Sequence, residues 1–130
     1  MGETTEDIFE TACALRELKI ESIPINFFIP IPGVKLDIKP DLFPEYCLSV
    51  LSLYRFLNPK AEIRVAAGWE IYFRSMQVMA FYPANSIFME GYLNTQGSFR
   101  KRIYQMIRDA GFNISSGFSL DELIERKSKI

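Results

Sequence analysis

Three short runs rich in β-branched and aromatic residues constrain this chain most: residues 22–29 (SIPINFFI), 62–67 (EIRVAA) and 86–89 (SIFM). Each reads as a buried strand bounded by proline, glycine or asparagine. The segments between them carry the three- and four-residue spacing of helices. Thr4 or Thr5 can cap a first helix, with Glu6 and Asp7 in its first turn and Ile8, Ala12, Leu15 and Leu18 along one face. Pro44 suits the first turn of a second helix, which carries Leu48, Leu51, Tyr54 and Leu57 until Asn58-Pro59 stops it. A third helix is expected over 70–82, and a fourth over 99–110 closed by Gly111. Ser119 and Glu122 form a capping box for a short last helix. A long loop is expected over 34–43, opened by Pro30, Pro32 and Gly33, and a loop through 94–97 leads to the fourth helix.

The order αβαβαβα, with helices between successive strands, implies crossover connections and therefore an α/β fold with a parallel sheet. Three strands cannot close a barrel, which needs eight and roughly 250 residues. A three-stranded parallel layer also leaves two edges open. The pattern reads as part of something larger, although 130 residues is a fair size for one domain.

Composition narrows the function. Hydrophobic residues at 48% and charged residues at 24% are globular values, so disorder is not expected. The net charge of -1 gives no general attraction to nucleic acid. Arg100, Lys101, Arg102 and Arg108 fall on the fourth helix, where a solvated face explains them better than a binding patch. No run approaches the roughly 18 apolar residues of a membrane helix. Gly2 to Asp7 are polar and acidic, unlike a signal peptide, so a cytoplasmic setting is expected. Histidine is absent, which removes the commonest general base and metal ligand. Cys13 and Cys47 fall on apolar helix positions and suit neither a disulfide nor a metal site on their own.

Side chains alternate across a strand, and the two faces here differ. Ile23, Ile25, Phe27 and Ile29 share one face of the first strand, with Ser22, Pro24, Asn26 and Phe28 on the other. In the second, Ile63, Val65 and Ala67 oppose Glu62, Arg64 and Ala66. One face suits packing under helices, while the other carries an amide, a carboxylate and a guanidinium. Buried polar groups are costly without partners, so Asn26 and Arg64 are expected to meet a ligand, each other, or a salt bridge such as Glu62–Arg64 that only fixes the fold.

Several uncommon strings then agree in register with a known family. Gly2-Glu3-Thr4, Glu21-Ser22-Ile23-Pro24-Ile25-Asn26, Ile31-Pro32-Gly33, Ile63-Arg64-Val65-Ala66-Ala67-Gly68, Ala84-Asn85-Ser86-Ile87-Phe88 and Gly91-Tyr92-Leu93-Asn94-Thr95 resemble the second half of the biotin synthases over residues 2–112. That region is the biotin and thiamin synthesis-associated domain, and residues 113–130 would be a short helical tail. The resemblance implies a partial (β/α)8 TIM-type barrel holding strands six to eight. It also implies radical S-adenosylmethionine chemistry with 4Fe-4S and 2Fe-2S clusters, and sulfur insertion into dethiobiotin. Residue by residue, it assigns Asn26 to the ureido ring of dethiobiotin and Arg64 to the 2Fe-2S cluster as a ligand. It sets Ile29 beside the adenine of S-adenosylmethionine and Glu3 in a turn near that cofactor.

The chain departs from the family pattern in ways that matter. The CxxxCxxC motif and the cysteines that share the second cluster with the arginine are absent. None of these cofactors is expected to be held by this chain alone, and catalysis by it alone is not expected. Gly33-Val34-Lys35-Leu36 stands where the family reads Gly-Thr-Pro-Leu, and Trp69 replaces an arginine ahead of Glu70. Met1 falls where the family often has an internal methionine, so a truncated gene product or one subunit of a split enzyme is expected. Its partner would be a complementary N-terminal half or a second copy. The rival reading is a non-catalytic module that self-associates through open strand edges. A fragment of a related radical enzyme of thiamin synthesis fits the strings around Asn26 and Arg64 less well.

Overall fold

The chain enters its first helix through a reciprocal cap. The Asp7 N–H donates to Thr4 Oγ1 at 3.2 Å and the Thr4 N–H donates to Asp7 Oδ2 at 2.7 Å. Two otherwise orphaned donors are thereby satisfied. The Thr4 hydroxyl and amide also hold the Asp7 carboxyl below its ordinary value. In the computed structural model, which describes residues 2–33, 42–89 and 100–125, this cap starts α1 (Thr5–Glu17). The loop expected over 34–43 and the last helix tail fall partly outside the described residues. The 94–97 loop, the Gly91 to Thr95 string, Val34, Lys35 and Phe99 fall wholly outside them. The chain divides into two compact units, Met1–Phe88 and Met89–Ile130.

The first unit continues with β1 (Ser22–Ile25), α2 (Pro44–Leu57), β2 (Glu62–Val65), α3 (Trp69–Tyr72), a 3-10 helix (Arg74–Phe81) and β3 (Ser86–Ile87). The strands form one sheet in the order β1-β2-β3, with both pairs parallel. This is the α/β arrangement that alternating helices and strands require. Ser22 pairs with Glu62, and Arg64 lies between Pro24 and Ser86. Ile23, Ile25, Ile63 and Val65 are buried on the face that the helices cover, with Ala12 of α1 and Cys47 and Leu51 of α2 among the most buried residues. Leu18 was expected on this apolar face but is 70% exposed. The helix stops at Glu17, and Leu18 caps its end with an amide bonded to the Ala14 carbonyl.

Each strand is shorter than its apolar run, yet the ladder reaches beyond the regular segment. The Ala66 N–H donates to Ile25 O at 3.0 Å, Phe27 N–H to Ala67 O at 2.8 Å, and Phe88 N–H to Val65 O at 2.8 Å. The helix expected over 70–82 is two pieces, because Arg74 adopts a left-handed φ of 49°. A residue in that conformation cannot carry the right-handed α ladder forward, and the chain resumes as a 3-10 helix. Gln77 bridges the break by donating from Nε2 to Glu70 O at 2.8 Å.

Two polar side chains inside this unit fix its loops. Asn58, buried, donates to the carbonyls of Ala12 and Tyr54, joining α1 to the end of α2. Arg55 donates from Nε to Pro83 O at 2.8 Å and from Nη1 to Ala61 O at 2.8 Å and Pro59 O at 3.1 Å. One guanidinium thus holds both the entry to β2 and the approach to β3.

In the second unit, α4 (Arg100–Asp109) buries Ile103, Tyr104 and Ile107 and leaves Arg100, Lys101 and Arg102 exposed. Gly111, at φ 76°, closes it as the Gly111 and Phe112 amides return to the Arg108 and Ile107 carbonyls. Ser119 and Glu122 cap α5 (Leu120–Glu125) reciprocally, at 2.7 and 3.2 Å. The two helices pack together, and Arg108 pairs with Asp121 across them.

Two outcomes follow from this packing. A Cβ at Gly68, whose φ is 84°, would lie 2.2 Å from the Phe27 carbonyl oxygen. Gly68→Ala should therefore cost at least about 2 kcal/mol, read as a lower urea midpoint at unchanged slope. Burial pushes the Cys47 thiol from its ordinary 9.0 up to about 11. The unfolded thiol loses its proton first, so this contribution to stability is complete below pH 9.0 and is lost as pH rises through about 11. At pH about 8, where a free thiol is already partly reactive, an alkylating reagent should modify Cys13 and reach Cys47 only after denaturant is added. Equal labelling of both by mass spectrometry would contradict the burial.

Candidate functional site

The sheet face turned away from the helices carries the polar side chains. Burial alternates from Ser22 to Phe27, so Ser22, Pro24 and Asn26 are exposed while Ile23, Ile25 and Phe27 are buried. The parallel register sets Glu62 beside Ser22, and Arg64 between Pro24 and Ser86. Asn26 and Arg64 therefore share one open face of adjacent strands.

Arg64 is held by its neighbours on that face. Its Nε donates to Glu62 Oε1 at 2.8 Å and to Ser86 Oγ at 3.0 Å, and Nη2 donates to the same Glu62 oxygen. The Phe88 ring lies under the guanidinium, 5.5 Å from Cζ to the ring centre, within reach of a cation–π attraction. The Ser86 hydroxyl, then Arg64 and more weakly the Ser22 hydroxyl, hold the Glu62 carboxyl below its ordinary value. The Arg64 and Glu62 side chains remain 37% and 34% exposed, so this is a solvated pair rather than a core one. Sequence reasoning had Glu62–Arg64 as one possible partnership. It missed Ser22 and Ser86 as donors to the carboxylate, because only the inter-strand register brings them alongside.

The other expected residues are placed differently. Asn26, exposed, accepts the Ala67 N–H on Oδ1 at 3.2 Å, which ties β1 to the end of β2. Ile29 is half-buried, beyond the end of β1. Glu3 is exposed, immediately ahead of the Thr4 cap. Among the described residues no bond joins Asn26 to Arg64.

The ends of the outer strands are pinned by the short helix between them. Gly68 lets the chain turn against Phe27, and Trp69 enters the core at 1% exposure. Its ring packs edgewise on Phe73 and tilts against Phe81, and its Nε1–H donates to Phe88 O at 3.1 Å. Tyr72 reaches the other way, its hydroxyl donating to Phe28 O at 2.6 Å. Trp69 thus replaces the charge expected at this position with an apolar plug and one directed hydrogen bond.

Among the described residues the polar groups of this face are one guanidinium, one carboxylate, two hydroxyls and one amide. Among the described residues no group of three or more His, Cys, Asp or Glu could hold a metal ion. Cys13 and Cys47 are free thiols within α1 and α2. Arg64 could give an iron–sulfur cluster one ligand, and the remaining ligands are not in this set. No helix among the described residues is long and apolar enough to cross a membrane.

The model of the Biotin and Thiamin Synthesis associated domain matches residues 24–113. The biotin synthase of Acaryochloris marina is 51% identical over 120 residues, 92% of this chain and 35% of that protein. That of Magnetococcus marinus is 49% identical over 112 residues, covering 86% and 35%, and that of Leptospira interrogans 44% over 124, covering 94% and 35%. The chain spans about a third of the length of the curated relatives it matches.

The Trp69 contacts give a direct expectation. Trp69→Phe keeps the ring packing and removes the bond to the Phe88 carbonyl, which should cost about 1–2 kcal/mol. Trp69 is the sole tryptophan, so the unsubstituted chain reports its own unfolding as a red shift of emission, and circular dichroism follows the variant.

Proposed function

The chain belongs to the Biotin and Thiamin Synthesis associated domain family, and from that premise we propose that it is the C-terminal portion of a biotin-synthase-type barrel, contributing strands six to eight. The parent reaction is sulfur insertion into dethiobiotin to form biotin, for which S-adenosylmethionine, a 4Fe-4S and a 2Fe-2S cluster supply radical and sulfur. In this reading Asn26 offers its amide to the ureido group of dethiobiotin, and Arg64 gives the 2Fe-2S cluster its one non-cysteine ligand. Ile29 and Glu3 lie toward S-adenosylmethionine. The cysteines come from the part of the relatives' length that this chain does not span, so the chain alone is inactive. A cytoplasmic setting follows from the same reading.

One observation carries the proposal: Asn26 and Arg64 stand on the same polar face of adjacent parallel strands, in a chain about half identical to proteins named biotin synthase. A sheet with polar groups on one face and, among the described residues, no strand paired outside β1 or β3 suits the inner wall of a larger closed sheet. Asn26 contributes one exposed bond to the fold, so its amide is free to read a ligand at little structural cost.

Anaerobic co-expression with the CxxxCxxC-bearing part of a relative should yield biotin from dethiobiotin only when both parts are present. Asn26→Ala should lower the stability of the chain by no more than about 1 kcal/mol and abolish that product. If the two parts co-purify and no biotin forms, the reading fails.

A further inference from the structure

Arg64 is fixed along one edge of its guanidinium. Nε bonds Glu62 and Ser86, Nη2 bonds Glu62, and Phe88 supports the plane from below. Among the described residues none of these contacts takes Nη1. Glu62 can do this because it lies two residues before Arg64 on β2, so both side chains leave the same face of the strand. Ser86 reaches the pair from β3, in register with Arg64.

We infer that Glu62 is a positioning residue for Arg64: its carboxylate clamps the Nε–Nη2 edge and presents Nη1 outward as the nitrogen that meets an electron-rich ligand on the open face. A carboxylate accepting two bonds from one guanidinium sets the plane of the group as well as its place. A freely turning arginine would offer its ligand any of three nitrogens and lose that freedom on binding, so fixing the group beforehand lowers the ordering cost. The inference deepens the proposed function, in which Arg64 is the residue that contacts the cluster. It differs from a purely structural salt bridge in what it expects. A pair this exposed adds little to stability, whereas a positioning pair controls the rotation of the arginine head.

Nitrogen-15 spectroscopy of the full chain, labelled at arginine, separates the two. The Arg64 signals are identified by their loss in Arg64→Lys. The unsubstituted chain should show slow rotation about Nε–Cζ, with the two Nη groups resolved. Glu62→Gln should speed that rotation about tenfold by replacing the charged acceptor with a neutral one, with the urea midpoint nearly unchanged. Ser86→Ala should act in the same direction and less. Rotation unaffected by Glu62→Gln, or Nη signals already averaged in the unsubstituted chain, would overturn the inference. A midpoint that falls while rotation stays slow would make Glu62 structural. None of these readings uses turnover, so a failed co-expression experiment would sink the parent reaction and leave the role of Glu62 to be decided by the spectra.

Discussion

The turn at Gly68 is the constraint on which the rest of the first unit depends. The chain there passes so close to the Phe27 carbonyl that no side chain fits, and its φ of 84° suits glycine. Because the turn is tight, Trp69 drops into the core at the first residue after Gly68. The helix it begins is only four residues long, yet it sends Trp69 to the chain after β3 and Tyr72 to the chain after β1. A looser turn would separate these anchors from the strand ends. The positions of Phe88 beneath Arg64 and of Asn26 beside Ala67 therefore trace back to a missing Cβ.

Parallel pairing then decides what the open face holds. In a parallel sheet, residues in register lie on the same side, so Ser22, Glu62, Arg64 and Ser86 gather across three strands. The same register sends Ile23, Ile25, Ile63 and Val65 to the covered face. A slip of one residue would exchange the two sets. The apolar face thus fixes the polar cluster, and the cluster need not contribute to stability in order to be formed.

Much of this was legible in the chain itself. Thr4, Pro44, Gly111 and the Ser119–Glu122 pair mark helix ends because each satisfies or relieves a specific main-chain group, a property of the local sequence. That Asn26 and Arg64 share a polar face follows from a period of two. Register was not legible, since it is set between strands by packing, and so the donors that Ser22 and Ser86 bring to Glu62 stayed hidden. The break at Arg74 gave no sign either: the apolar spacing over 70–82 fits a continuous helix, and only the left-handed residue interrupts it. Arg55 was equally silent, because an arginine that donates to carbonyls has no sequence signature beyond its charge.

The two arginines make the final distinction. Arg55 spends its donors on main-chain oxygens of Pro83, Pro59 and Ala61, at the ends of loops. Removing it would take a bond from each of these carbonyls, two of them part-buried, which is how a structural arginine shows itself. Among the described residues Arg64 has side chains alone for partners, and its carboxylate neighbour is about as exposed as it is. The fold would lose little without that pair. Glu62, Ser86 and Phe88 nevertheless converge on one part-exposed guanidinium, and ordering a long side chain costs conformational entropy. A guanidinium held by these contacts, with Nη1 outside them, fits the positioning role inferred for Glu62.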